Sequence, residues 1–187
     1  MNEKSLLAVL KSEAGTYEKA MACDDLGRVG TAKAVPMLAD LLADEKLHDY
    51  ARDGLERIQD PAAAKALVAA LKTLEGSLRT GVIITLGDRG ETSAVPALAE
   101  IAKKGMGPHA TAAALSSLAK ISTDDAAKAI LSVLAEGSAE AKVAAGHAAL
   151  MAAQRMDKDG RKDAAGKLRG AVAGADVPAN LKEAAGH

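Results

Sequence analysis

Apolar residues follow a helical period along the stretch Thr31–Ile58. Two sets of four are spaced so that each set shares one face of a helix. They are Val35, Leu38, Leu41 and Leu42, and then Leu47, Ala51, Leu55 and Ile58. Asp44-Glu45-Lys46 separates the two sets. The stretch therefore predicts two short amphipathic helices joined by a turn, with Thr31 as the N-cap of the first helix.

The same pair of helices recurs along the chain. The leucines that close successive second helices lie 29 to 32 residues apart, at Leu26, Leu55, Leu86, Leu118 and Leu150. Such a pair cannot bury its apolar stripe alone, and repeats of this length are typical of solenoids. The sequence predicts an all-α fold, an α-solenoid of five to six stacked antiparallel helix pairs in a single domain. The predicted units are 4–27, 31–58, 60–88, 91–121, 123–155 and a terminal or truncated unit at 157–187.

Composition limits both the core and the partners. Aromatic residues make up 1% of the chain, with two Tyr, no Phe and no Trp. Ala, Leu, Val and Ile must therefore fill the core, which suits closely approaching helices. The net charge is −1, with acids and bases interspersed. Because binding nucleic acid needs a concentrated positive field and stacking side chains, we expect no nucleic-acid partner.

Cysteine content and hydropathy set the remaining expectations. Cys23 is the single cysteine and lies on the apolar face of a predicted helix, so it is expected to be a small buried hydrophobe. The apolar run Leu6–Leu10 is too short for a signal-peptide core or a membrane span. We expect a soluble monomer, with no membrane insertion and no signal peptide in these residues. The compartment stays open, because the chain is also compatible with a piece of an exported protein.

Three short motifs recur with the period. Ala-Val-Pro-x-Leu stands at 34–38 and 94–98, Leu-Leu-Ala-Asp at 41–44, and Leu-Gly-x-x-Gly at 26–30 and 86–90. In these motifs the chain resembles the HEAT-repeat superfamily, in the short-period class typified by phycobilisome-lyase-like HEAT repeats. It also looks like HEAT regions of large exported proteins of planctomycete-type bacteria. The resemblance implies a fold and a surface rather than an activity.

HEAT repeats often carry a ladder in which an acid in the turn bonds a base early in the second helix. The matching second-helix positions are Lys19, His48, Arg79, Thr111 and Val143. The resemblance implies an acid–base pair for Glu75–Arg79 and a partial one for Asp44–His48. The ladder is therefore expected to be degraded, above all in the last two units.

Basic residues recur near the ends of the second helices, at Arg28, Arg57, Arg89 and Lys120. One interpretation is a basic stripe for an acidic partner. The other is that each cation complements a helix C-terminal dipole, worth ~0.3–1 kcal/mol. Glu56 and Asp88 lie beside two of these bases and cancel their field, which favours the second interpretation.

No constellation for catalysis or metal binding stands out. His48, His109, His147 and His187 lie in different units without metal-ligand spacing. The Asp-Lys-Asp-Gly motif at 157–160 lacks the later ligands of a calcium loop and predicts a turn. Nucleophile and phosphate-binding motifs are also missing. We expect no catalytic, cofactor or metal site, and no enzymatic activity.

The second helices present a polar side opposite their apolar stripe. In HEAT folds these helices line the concave surface, so the resemblance implies a partner-binding face there. In unit 31–58 the polar side is Asp49, Arg52, Asp53 and Glu56, and in the next unit it is Thr80, Ile83, Ile84 and Gly87. The candidate partner-binding residues are Asp49, Arg52, Asp53, Glu56, Thr80 and Ile84. An ordinary solvated surface is an equal alternative.

The sequence thus favours a non-catalytic scaffold or protein–protein interaction module, with an unidentified protein or peptide as its partner. The resemblance also offers an alternative, a chromophore-lyase-like protein that handles a tetrapyrrole on a partner protein. The scarcity of aromatic side chains makes a stacked tetrapyrrole pocket hard to build, which disfavours this alternative.

Overall fold

The computed structural model describes residues 1–186, and within that range every regular element is helical. The chain divides into two compact units, Met1–Arg89 and a second that begins at Gly90. The all-α prediction is confirmed. The prediction that 1–187 is a single domain stays a prediction, and its last residue, His187, lies outside the described range.

The first unit consists of three helix pairs. Its helices are α1 (Glu3–Lys11), α2 (Thr16–Val29), α3 (Val35–Asp40), α4 (His48–Arg57), α5 (Pro61–Ala70) and α6 (Gly76–Asp88). Within the pairs, α1 packs on α2, α3 on α4 and α5 on α6. The second helices also pack on one another, α2 on α4 and α4 on α6, and α3 packs on α5. Unit 1 is therefore two layers thick, with α2, α4 and α6 side by side in one layer.

The second unit follows the same pairing. Its helices are α7 (Val95–Lys104), α8 (Pro108–Ile121), α9 (Asp124–Glu136), α10 (Ala139–Lys158), α11 (Lys162–Gly174) and α12 (Ala179–Ala185). Contacts join α7 to α8, α9 to α10 and α11 to α12, and they also join α8 to α10 and α10 to α12. The predicted 157–160 turn is present, because α10 ends at Lys158 and Gly160 adopts a positive φ of 76°.

The predicted apolar stripe of α4 forms part of the core. Ala51 and Leu55 are 0% exposed and Ile58 is 2% exposed.

Cys23 is also fully buried, as predicted. Burial raises the pKa of its thiol to about 11, with a further contribution from the negative charge of Asp44. Such a thiol is protonated at neutral pH and acts as a small hydrophobe.

Two glycines let α2 and α4 approach closely. A Cβ atom on Gly27 would lie 3.1 Å from the Cα of Gly54, and a Cβ on Gly54 would lie 2.9 Å from the carbonyl oxygen of Cys23. The backbones are thus in contact without intervening side chains. This approach brings the neighbouring edges of the two second helices within reach of each other's side chains.

The prediction that Thr31 caps the first helix of its unit is wrong. That helix, α3, begins four residues later at Val35, and Pro36 occupies its first turn. Proline is common in the first turn of a helix because its φ is already helical. An N–H group at that position would have no partner within the helix, so its absence costs little. The side chain and the N–H of Thr31 instead donate to the carboxylate of Glu3 on α1, at 2.9 and 2.7 Å. The helix is also shorter than predicted, since 41–43 forms a 3₁₀ turn.

The glycine contact gives the first testable prediction. Gly54→Ala should lower the free energy of unfolding by ~1–3 kcal/mol, because the new methyl group overlaps backbone and must push α2 away. Gly166→Ala is the matched control: it also lies inside a helix, but its new methyl group would have no neighbouring atom within 4 Å. The control should gain ~0.5–1 kcal/mol from helix propensity. Urea titrations followed by circular dichroism would measure both. An equal gain in the two variants would contradict the close approach.

Candidate protein-binding face

The residues of α4 and its C-cap, Ile58, face four directions. Ala51, Leu55 and Ile58 face the core, and Gly54 faces α2. Arg52 and Glu56 bond to α6. By helical periodicity, Asp49 and Asp53 lie on the remaining side, which points outward.

Arg52 ties α4 to α6. Its Nη1 donates to the Oγ1 of Thr85 at 2.8 Å, and that hydroxyl donates onward to Oε2 of Glu56 at 3.0 Å. Thr85 is 0% exposed. Gly81 provides the room, because a Cβ atom there would lie 3.3 Å from Cδ and Nε of Arg52. A buried hydroxyl bonded to two charged side chains is a specific link between two helices.

The four predicted residues of α4 therefore divide into two groups. Arg52 and Glu56 serve in the link to α6, and their side chains are 21% and 35% exposed. Asp49 and Asp53 lie outward, with side chains 68% and 48% exposed. Both are paired with the same nitrogen, Arg52 Nη2: Asp49 accepts a hydrogen bond from it at 3.3 Å, and Asp53 forms an ion pair with it at 3.1 Å. Asp49 and Asp53 are the α4 carboxylates that a partner can reach.

On α6 the predicted side is only partly outward. Ile84 is 40% exposed, as expected for a contact residue. Thr80 is half-buried and its hydroxyl donates to the carbonyl of Gly76 at 3.0 Å. Ile83 and Gly87, which were predicted to lie beside them, are buried. That prediction is wrong because α6 is packed on more than one side, which widens its buried surface beyond a single stripe.

An ion pair joins the outward sides of α2 and α4. Nη1 of Arg57 donates to Oδ1 of Asp24 at 2.5 Å, and Arg28 donates to the other carboxylate oxygen at 2.7 Å. The hydrogen bond from Arg57 and the nearby positive charges of Arg28 and Arg57 lower the pKa of Asp24, against the opposing effect of desolvation. Asp24 is thus held as a carboxylate between two guanidinium groups.

This ion pair places further exposed residues on the same surface. Tyr17 and Met21 precede Asp24 by seven and three residues on α2, so all three share one side of that helix. Tyr50 precedes Arg57 by seven residues on α4 and lies on the side next to α2. Tyr17 is 73% exposed, Met21 43% and Tyr50 47%.

We define the α2–α4–α6 face as this outward surface of the three second helices in unit 1. Its exposed residues include Tyr17, Met21, Asp49, Tyr50, Asp53 and Ile84. Sequence reasoning missed Tyr17 and Met21 because it considered only the second helices of units 31–58 and 60–88. It missed Tyr50 because it selected only positions opposite the core stripe. A signal was present: Tyr17 and Met21 are apolar residues at i and i+4 outside the core stripe of α2.

Arg89 refines the interpretation of the recurring bases. Its Nη1 donates to the carbonyls of Leu55, Glu56 and Ile58 at 2.9, 2.5 and 2.9 Å. The guanidinium therefore satisfies carbonyls at the end of α4, the preceding second helix, rather than those of its own helix. Such carbonyls lack intrahelical partners and attract cations. Arg89 is thus a structural link between neighbouring second helices, which supports the dipole interpretation at this position.

The Asp44–His48 pair implied by the resemblance does not form. The carboxylate of Asp44 accepts from the backbone N–H groups of Lys46 and Leu47 at 2.8 and 2.9 Å, which closes the turn before α4. Nδ1 of His48 lies 3.4 Å from Asp49 instead. In the second unit, Arg161 bonds the end of a second helix as Arg89 does in the first unit. It donates to the carbonyl of Ser122, just after α8, at 2.6 Å and bonds the carboxylate of Asp124.

Metal clusters and membrane-spanning helices are both missing from residues 1–186. No group of three or more His, Cys, Asp or Glu side chains there is placed to hold a metal ion. In the same range, no helix combines the length and hydropathy required to cross a bilayer.

Comparison with known proteins leaves the resemblance as a proposal. No protein-family model matches this sequence, and no curated protein matches it either.

The Asp24–Arg57 pair predicts a pH-dependent stability. Because the folded-state pKa of Asp24 is lowered from 3.8, the stabilisation by this pair is complete above about pH 5 and is lost as the pH falls through that lowered value. Arg57→Gln should therefore be less stable than the wild type at pH 7, and the difference should shrink towards pH 3. Urea midpoints across that range would measure it. Lys65→Gln, at an exposed position on α5, should show no such trend. A difference that stays constant down to pH 3 would contradict the pairing.

Proposed function

We propose that this chain is a HEAT-like α-solenoid that acts as a non-catalytic interaction module and binds a protein or peptide on the α2–α4–α6 face. One observation carries the proposal. Of the seven large hydrophobic side chains exposed among the described residues, five lie on these three helices: Tyr17, Met21, Val29, Tyr50 and Ile84. Single exposed apolar residues need no explanation, whereas a group of them within one packed layer is typical of an interaction surface.

The arrangement of the helices supports the HEAT-like part of the proposal. The motifs that resemble HEAT repeats recur with the same period as the helix pairs, and second helices pack on second helices within each unit. Side-by-side packing supplies a broad, rigid surface on which exposed residues keep fixed positions. A rigid surface lowers the entropic cost of binding.

Tetrapyrrole handling has less support. Stacking against a tetrapyrrole requires aromatic side chains, and the only two in the chain, Tyr17 and Tyr50, are 73% and 47% exposed. That alternative stays a prediction. A protein-dependent shift of the visible absorption band on mixing with bilin would support it.

Site-specific photo-crosslinking tests the proposed binding face. A benzophenone amino acid replaces Tyr50 in one variant and Ala8, an exposed residue of α1, in the control. In cells that express the protein, position 50 should give discrete crosslinked species that position 8 does not give. Adding Asp49→Lys and Asp53→Lys should remove these species. Glu56 is left unchanged because it accepts from Thr85 and its loss would disturb the packing of α6.

Circular dichroism and the urea midpoint verify that the double-reversal variant is folded. If positions 50 and 8 give the same species, or if the folded double variant gives an unchanged pattern, the α2–α4–α6 face is not the binding surface.

A further inference from the structure

We infer that the partner of the α2–α4–α6 face is a basic peptide segment that carries apolar side chains between its lysines or arginines. This inference rests on the proposed function and specifies the chemistry of its partner. Two properties of the face support it: an excess of carboxylates, and an apolar cluster directly beside them.

Carboxylates outnumber guanidinium groups on this face. Its ion pairs join five carboxylates to three guanidinium groups: Asp24, Asp25, Asp49, Asp53 and Glu56 with Arg28, Arg52 and Arg57. Five negative and three positive charges leave a net charge of −2. The face therefore attracts cations, although the whole chain has a net charge of only −1.

Counted by ion pairs, the excess lies around Arg52 of α4, because the other guanidinium of that helix, Arg57, pairs with Asp24 of α2. Asp49 and Asp53 both depend on Arg52, whose guanidinium is also bonded to Thr85 and lies 3.9 Å from Glu56. One guanidinium shared by three carboxylates leaves acceptor capacity on each of them, since a carboxylate can accept about four hydrogen bonds. The imidazole of His48, 3.4 Å from Asp49, is the other nearby nitrogen group. A lysine or arginine of a partner would add the missing donors at Asp49 and Asp53.

The apolar cluster lies at the same end of the helices as Asp49. Tyr17 and Met21 occupy the first half of α2, and Tyr50 is next to Asp49 near the start of α4, on the side towards α2. A tyrosine offers a broad apolar ring together with a hydroxyl that stays hydrated, and methionine adapts its shape to a partner. These side chains suit an aliphatic residue of the partner, while Asp49 and Asp53 bind the cations on either side of it.

The size of the face suits a peptide segment. Packed helices lie 8–10 Å apart, so α2, α4 and α6 together span about 16–20 Å. An extended peptide covers this distance with about six residues, at about 3.3 Å per residue. A probe peptide of about twelve residues therefore crosses the face with either an extended or a helical backbone.

Tyrosine fluorescence provides a readout confined to the face. Tyr17 and Tyr50 are the only aromatic residues in the chain, so a probe without aromatics leaves them as the only emitters. The probe is a capped peptide of alternating leucine and lysine, compared with analogues that carry glutamate or glutamine in place of lysine. The lysine peptide should change the emission with a saturating dependence on its concentration. Because the attraction is electrostatic, the affinity should fall as salt is raised.

Matched protein variants locate the binding. Asp49→Lys with Asp53→Lys should weaken binding of the lysine peptide by about tenfold or more. Asp40→Lys reverses an exposed carboxylate at the end of α3, in the other layer of the unit, and should leave the affinity unchanged. Met21→Ala retains every charge on the face but removes an apolar contact. It should therefore weaken binding of the lysine peptide.

Several results would overturn the inference. These are equal binding of the glutamate or glutamine peptide, an unchanged affinity in the folded Asp49→Lys, Asp53→Lys variant, and no fluorescence change with any peptide. A tyrosine signal that depends on protein concentration alone would assign the face to a second copy of the chain and would also overturn it. The comparison of crosslinks at positions 50 and 8 in the otherwise unchanged protein does not depend on the charge of the partner. Crosslinks together with failed peptide binding would therefore reject the basic partner and retain the binding face.

Discussion

The side-by-side packing of the second helices in unit 1 depends on the direct contact between the α2 and α4 backbones at Gly27 and Gly54. A chain with no Phe or Trp fills its core with short side chains, and water is excluded only if the helices come close together. The two glycines permit that approach. Because second helices then lie side by side, polar residues on the edge of one helix reach the next, as Arg57 reaches Asp24 and Arg52 reaches Thr85.

These links determine which charges remain for a partner. Arg52 bonds the buried hydroxyl of Thr85, and Arg89 bonds the carbonyls at the end of α4. Both arginines use their donors within unit 1, so they belong to the scaffold. Carboxylates held on the outward side by a shared guanidinium keep unused acceptors. On α4 the same short helix therefore contains both kinds of charge, Arg52 and Glu56 in the scaffold and Asp49 and Asp53 at the surface. Tyr50 adds apolar surface beside the exposed carboxylates.

The positions of the helices could be predicted from the sequence because the spacing of apolar residues is a local signal. The stripe of Ala51, Leu55 and Ile58 is buried as expected. The start of α3 could not be predicted, because Thr31 is bonded to Glu3, 28 residues away, and that contact is not visible in any local pattern.

The candidate face could be predicted only in part, for a related reason. A helical wheel identifies the side opposite the core, and it correctly placed Asp49 and Asp53 outward. It does not show which neighbour lies beside each edge. Arg52 was therefore expected to be accessible although α6 covers it, and Tyr50, on the edge towards α2, was missed although it is 47% exposed.

The division of α4 into a bonded edge and an open face is tested most directly by a double-mutant cycle between Arg52 and Thr85. The free energies of unfolding are compared for Arg52→Met, Thr85→Val and the double variant. A hydrogen bond between a guanidinium and a fully buried hydroxyl predicts a coupling energy of about 1–2 kcal/mol. Effects that add to within about 0.3–0.5 kcal/mol would show that Arg52 is not held by α6, and the division of α4 into scaffold and surface charges would be wrong.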